Sequence, residues 1–219
     1  MLSVNIKMTM REFDLDVALE APAGVTVLFG PSGAGKSRTL ACIAGIARPN
    51  GGRIALDDDV WFDDRGGIRI ESRRVAYVFQ SLALFPHMTA AANVVYGIRD
   101  GSPDEKRGRA YAMLERMRVV HLAERKPGTF SGGEAQRVAL ARAFAMSPRA
   151  ILLDEPFSAL DAAVKKSLLD EVSSHLAAAK VPTILVTHDT AEARALGERV
   201  FFIDKGKIAR SSSIDEAAF

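Results

Sequence analysis

Short apolar runs stand at residues 25–29, 75–79, 150–153, 183–187 and 200–203, most of them with Gly, Pro or an acidic residue on at least one side. Runs this short and this continuous predict strands buried on both faces. Between them the apolar spacing lengthens to that of helices. Residues 38–46 read as one helix, Tyr111, Leu114, Met117 and residues 118–122 as another, and Val138, Leu140, Ala141 and Phe144 as a third. Val164, Leu168, Leu169, Val172 and Leu176 fall on one face of a fourth, and a short helix ends near Gly197. Strands alternating with helices predict a largely parallel sheet covered on both sides. Residues 2–7 and 13–19 instead alternate polar and apolar positions, which predicts a strand pair near an edge of the fold. Residues 57–74 are polar and glycine-bearing, so they read as surface loop with short strands. The run at 200–203 reads as the last strand. Residues 81–147 are mostly helical and broken by Pro86, Pro103, Pro127 and Gly128. The expected organisation is one domain over 1–219: an α/β core from 1–80 and 148–219, with a helical subdomain at 81–147 inserted into it.

A chain of 219 residues can bury one substantial core, and 48% hydrophobic with 26% charged residues is ordinary for a soluble globular protein. A net charge of +2 argues against a dedicated nucleic-acid binder. No apolar run approaches the roughly 18 residues needed to span a bilayer, and the N-terminus lacks a signal-peptide pattern. A single cysteine, Cys42, excludes an internal disulfide and fits a reducing compartment. Among Leu40, Ile43 and Ile46 it reads as a small buried hydrophobe.

Gly30-Pro31-Ser32-Gly33-Ala34-Gly35-Lys36-Ser37 changes the picture most. It fits the phosphate-binding loop G-x-x-x-x-G-K-[ST], and it sits between a predicted strand and a predicted helix as that loop requires. The glycines let backbone N–H groups turn toward phosphates, Lys36 adds a point charge, and the Ser37 hydroxyl is placed to ligate Mg2+. Asp154 and Glu155 close the apolar run 150–153, at the strand end where such sheets hold their ligands. Asp154 is placed to hold Mg2+ through water, and Glu155 to polarise an attacking water. Ser131, Gly132 and Gly133 open the helix that follows, presenting free N–H groups to an anion. The expected fold is therefore a phosphate-loop NTPase (RecA-like) core with a mostly parallel sheet, an antiparallel β edge and the inserted helical subdomain.

Taken in order, the glycine loop, Ser131-Gly132-Gly133-Glu134-Ala135-Gln136-Arg137, Leu152-Leu153-Asp154-Glu155-Pro156 and Val186-Thr187-His188-Asp189 resemble the nucleotide-binding subunit of an ABC transporter. The resemblance covers essentially the whole chain. It implies ATP and Mg2+ as ligands and a head-to-tail homodimer bridged by two ATPs. Each ATP would sit between the phosphate loop of one copy and the Ser131-Gly132-Gly133 turn of the other. It further implies that Gln80 ligates Mg2+ and senses a membrane partner, and that Glu155 is the catalytic base. Residues 158–161, ending in Asp161, would couple the two sites, and His188 would contact the γ-phosphate. His87, His121 and His175 receive no role. The family usually has Thr where this chain has Arg38, whose guanidinium either approaches the α-phosphate or points to solvent. Glu134 and Phe130 replace the commoner Gln and Leu. Phe13 is either the aromatic that stacks on adenine or a core residue of its strand.

Without a fused membrane domain, the pattern favours an importer subunit that docks on separate permease subunits, with a solute-binding protein acting indirectly. That places it at the cytoplasmic face of the plasma membrane. Residues 79–89 are similar to importers of oxyanions, polyamines and sugars. Residues 63–68 and 21–26 are similar to the molybdate importer ATPases, although the chain leaves no room for the C-terminal oxyanion-binding domain these often carry. The rivals are a non-transport ABC ATPase acting on nucleic acid or the ribosome, and a small-molecule kinase. The first lacks its usual coiled coil or second cassette here, and the second leaves the Ser131 turn and His188 unexplained.

Overall fold

A computed structural model describes residues 1–158 and 160–219, the Ala163 side chain excepted. The chain opens with strands β1 (Leu2–Thr9), β2 (Asp14–Ala21) and β3 (Gly24–Phe29), then helix α1 (Lys36–Ala44). Strands β4 (Gly51–Leu56), β5 (Asp59–Asp63) and β6 (Gly66–Gly67) precede the short helix α2 (Ile70–Arg73) and strand β7 (Val75–Val78). Helices α3 (Ala90–Gly97), α4 (Pro103–Arg116) and α5 (Gly132–Ala145) come next. Then follow β8 (Ala150–Asp154), α6 (Ala162–Ala179), β9 (Pro182–Thr187), α7 (Thr190–Leu196), β10 (Arg199–Asp204) and β11 (Lys207–Ser213).

All the strands join one sheet in the order β6-β5-β4-β1-β2-β11-β10-β3-β9-β8-β7. The run from β10 to β7 is parallel. Its strands read as continuous apolar runs because both faces are covered. Val27, Ile151, Leu153 and Leu185 face a core shared with α5, α6 and α7. Leu28, Leu152, Ile184 and Val186 face a second core with Leu40 and Ile43 of α1 and Leu15, Val17 and Trp61 of the antiparallel strands. The antiparallel half of the sheet thus folds over α1, and β2 touches β3 and β9 across the bend.

Three expectations need correction. The pair β1–β2 is not at an edge: β4 flanks it on one side and β11 on the other. Its alternating pattern reveals which face is buried, not what pairs alongside. The run at 200–203 is not in the last strand, because β11 returns antiparallel to β10. Its sequence KIARSSS is mostly exposed and so carries no apolar run. The helix expected to continue through residue 122 ends at Arg116, followed by Arg118 in the left-handed region (φ 56) and a 3-10 turn, Val120–Leu122. Strand β4 carries no predicted element, and the polar segment 57–74 buries Trp61 and Arg73.

The helical residues are not walled off from the sheet. Val94, Leu114, Val138, Ile151 and Leu168 belong to one continuous core. Helix α4 starts on a capping box, Ser102 with Glu105, and has Pro103 in its first turn. Among the described residues no helix is long and apolar enough to cross a membrane.

Candidate active site

The loop from β3 into α1 is held by close backbone contact. A Cβ on Gly30 would stand 2.2 Å from the Ile203 carbonyl oxygen, so only glycine fits beside β10. Gly33 adopts a left-handed conformation (φ 82) and has nothing within 4 Å of where a Cβ would stand, so the loop stays open on that side. The Ala34 N–H bonds to Pro31 O, and Ala34 O accepts from the Gly206 N–H. Ser32 is exposed, and Gly35 caps α1 with no side-chain partner for the first-turn N–H groups. Lys36 is 4% exposed, and its Nζ donates to Gly30 O and Pro31 O, both at 2.8 Å. Burial lowers its pKa, while Glu155 and Asp154 act to raise it.

Parallel pairing of β8 with β9 and β7 carries the remaining groups to the same end of the sheet. Asp154 ends β8, 6% exposed. It accepts from Ser37 Oγ at 2.8 Å and from the Tyr77 hydroxyl at 3.1 Å. Burial raises its pKa, against the pull of the Ser37 and Tyr77 hydrogen bonds, and burial raises that of Tyr77 as well. Glu155 has φ 46, uncommon for a residue with a side chain, and its N–H bonds to Val186 O at 3.0 Å. This turns its carboxylate back over the loop. Oε1 lies 4.0 Å from Lys36 Nζ and 3.4 Å from His188 Nδ1, and Oε2 accepts from Gln80 Nε2 at 3.4 Å. Lys36, Ser37, Gln80, Asp154, Glu155 and His188 therefore form one constellation.

The constellation fits a triphosphate with Mg2+. Ser37 Oγ and Asp154 Oδ1 meet, which pairs a hydroxyl with one carboxylate, the hard oxygen set that Mg2+ takes alongside phosphate oxygens. A cavity of about 420 Å³ lies over the loop, lined by Met10, Lys36, Ser37, Arg38, Gln80 and Glu155 among others. A second, of about 500 Å³, is lined by Met8, Met10, Phe13, Gly33 and Arg38 among others. Phe13 is not a strand-core residue. It is half-buried in the β1–β2 turn and reaches the backbone turns at Gly206 and Gly35.

The Ser131, Gly132 and Gly133 turn does not line either cavity. Ser131 caps α5 in a capping box with Glu134. The Ser131 N–H bonds to Glu134 Oε2 at 2.7 Å, and its hydroxyl donates to the same oxygen at 2.9 Å. Asp161 precedes α6, accepting from the Val164 N–H at 3.0 Å. Ala159, in the expected coupling segment, lies outside the described residues. His121 stands 3.5 Å from Glu134, and His175 contacts Met113 Sδ. Tyr77 and Met10 are site residues that the sequence reading missed. Tyr77 was readable in principle, since a buried strand with one hydroxyl beside an acid-tipped strand must satisfy that hydroxyl somewhere.

Residues 15–158 match the family described as ABC transporter. The chain is 38% identical over 217 residues to the molybdenum import ATP-binding protein of Paramagnetospirillum magneticum, covering 98% of this chain and 60% of that protein. It is 42% identical over 200 residues to the Fe(3+) ions import ATP-binding protein of Pseudomonas fluorescens, covering 90% of this chain and 56% of that one. The chain thus spans about three fifths of the length of these curated relatives. Among solved structures it is similar to the dimeric structure of MJ0796, a bacterial ABC transporter cassette, with TM-score 0.85 and 29% identity over the full length of both chains. A post-hydrolysis state of that cassette bound to ADP and Pi superposes with TM-score 0.83, at 29% identity and again over the full length of both chains.

Proposed function

The chain belongs to the ABC transporter family, and on that premise we propose that it is the ATP-hydrolysing subunit of an importer that takes up molybdate or a related oxyanion. The observation that carries the activity is the meeting of Glu155 with Lys36, Gln80 and His188 beside the Ser37–Asp154 pair. In this reading Lys36 faces the β- and γ-phosphates, and Glu155 takes a proton from water as its oxygen bonds to the γ-phosphorus. The bond from that phosphorus to the bridging oxygen breaks, and ADP leaves with that oxygen. His188 orients the γ-phosphate against Glu155. Ser37, Asp154 and Gln80 would hold Mg2+, which would neutralise charge on the phosphates.

A second copy completes the site. Its Ser131, Gly132 and Gly133 would close head-to-tail over the γ-phosphate, with Asp161 at the junction. Residues 81–147 act as the helical subdomain that receives the permease beside Gln80 and Phe85, at the cytoplasmic face of the membrane. Phe85 stacks edge-on against Tyr96 (4.7 Å) and under Arg142 (5.5 Å), which gives that contact a firm base. A solute-binding protein acts on this subunit through the permease alone.

The similarity to an iron-import subunit supports a second reading, Fe3+ uptake. Both are tested by reconstituting the chain with its co-purifying permease in vesicles. Stimulation of ATP hydrolysis by molybdate supports the first reading, stimulation by Fe3+ alone moves the assignment to the second, and co-purification with nucleic acid or ribosomes overturns both.

A further inference from the structure

Glu192 is more deeply buried than either acid of the constellation, 2% exposed against 6% for Asp154, and the chemistry above gives it no part. It stands in the first turn of α7, four positions after His188. Its Oε2 accepts from the Thr187 hydroxyl at 2.5 Å, and its Oε1 pairs with Lys165 Nζ of α6. Asp189 closes the same cluster. Its Oδ1 caps α7 by accepting from the Ala191 and Glu192 N–H groups, and its Oδ2 accepts from Lys165 Nζ at 2.5 Å. A buried carboxylate persists only where a charge and hydrogen bonds replace its water. For Glu192 that charge is Lys165. Burial works to lower the Lys165 pKa, but the hydrogen bonds to Asp189 and Glu192 prevail and leave it raised, so the amine is charged at neutral pH.

The cluster fixes backbone rather than substrate. Thr187 Oγ1 also accepts from the Asp189 N–H at 3.0 Å. Both neighbours of His188 are therefore pinned, Thr187 through Glu192 and Asp189 through Lys165. The His188 side chain is 56% exposed, and its one polar partner among the described residues is Glu155. A ring held by so little is aimed by its backbone. Lys165 has a firm seat of its own on α6, where its N–H bonds to Asp161 O at 2.9 Å. We propose that Lys165 is a positioning residue for His188: by clamping Asp189 and Glu192 it sets the turn that aims the imidazole at Glu155 and the terminal phosphate. The inference rests on the role given to His188 above.

The test is a double-mutant cycle on steady-state phosphate release by the full chain with Mg2+ and ATP. Lys165→Met lowers kcat by about tenfold with KM for ATP within about twofold, the mark of a misaimed group rather than a lost binding contact. His188→Ala lowers kcat by about 100-fold. Adding Lys165→Met to His188→Ala lowers it by less than about twofold further, because the ring to be aimed has gone. Lys165→Arg keeps the charge and can meet both carboxylates, so it returns kcat to within about threefold of wild type. Lys165→Met also strands the buried Glu192 and lowers Tm. Combining it with Glu192→Gln removes that charge, so Tm recovers while kcat stays low. An unchanged kcat in Lys165→Met overturns the inference. So do additive losses in the cycle, or recovery of kcat together with Tm, which would make Lys165 a structural support alone. Wild-type turnover by His188→Ala overturns the His188 reading itself, and is seen without touching Lys165.

Discussion

The phosphate loop and the Ser131 turn both end at a helix N-terminus with backbone N–H groups on offer, yet the chain treats them in opposite ways. At the loop, Gly35 gives α1 no side-chain cap, and a nearly buried lysine is held by two carbonyls under Glu155. At the turn, Ser131 and Glu134 close a complete capping box on the surface. The first site keeps its donors free and pre-organised. At the second, the box takes up the Ser131 and Glu134 N–H groups, and the turn lines neither of the neighbouring cavities. In the proposed reading, one would bind within a single chain, and the other would gain a role when another surface is brought against it. The Ser131 turn then needs only to be a well-formed helix end.

The largest expected effect tests the loop side of this contrast. Glu155→Gln keeps the shape of the constellation and removes the proposed base, so steady-state phosphate release falls by about 10²- to 10⁴-fold while ATP binding is retained. Turnover near that of wild type removes Glu155 from the chemistry. Lys36→Met comes next. It deletes the buried charge between Gly30 O and Pro31 O. ATP affinity in equilibrium titration falls by about 100-fold. Tm stays within a few degrees, because burial already disfavours the charged amine. A large fall in Tm with little loss of affinity would make Lys36 a structural strut. Ser131→Ala is smaller and divides the two regions. ATP binding by the single chain is unchanged, whereas turnover of the assembled ATPase falls about tenfold. If single-chain binding weakens too, the turn and the loop belong to one site and the contrast collapses.

The same division governs what could be read from the sequence. The loop, Asp154 and Glu155 were legible because strand burial on both faces writes itself as apolar runs, and the acids stand where those runs end. The glycine spacing of the loop is a local geometric demand, visible without any fold. What lay outside pattern was pairing. Nothing in KIARSSS announces β11, since its partners are backbone groups of β10 and its side chains are mostly exposed. Arg73 looked like a surface charge and is 4% exposed, donating to Cys42 O, Ile43 O and Trp61 O at the far end of α1. A guanidinium stitched to carbonyls leaves no partner residue in the sequence to find. The Tyr77 hydroxyl could be seen to need a partner but not which one, because β7 and β8 are adjacent in the sheet while Tyr77 and Asp154 stand 77 positions apart in the chain.

The smallest effect bears on the turn alone. Glu134 holds both the N–H and the hydroxyl of Ser131, and these hydrogen bonds, the backbone one foremost, depress its pKa below the ordinary 4.5. A carboxylate with a lowered folded pKa contributes stability above its unfolded value, and that contribution is lost as pH falls through the folded value. Its effect on the α5 cap is therefore flat between about pH 6 and 8 and appears only in acid. Glu134→Gln keeps the box, since an amide oxygen still accepts from the Ser131 N–H. It flattens the acid limb of the Tm profile. It also takes a negative charge away from the place where a γ-phosphate would arrive. In a Glu155→Gln background with saturating ATP, light scattering should find the dimer forming at roughly threefold lower protein concentration, the range of a partly screened surface charge. A weaker dimer would mean that the carboxylate keeps Ser131 in its bonding geometry rather than occupying it. The turn would then be pre-organised after all, as the loop is.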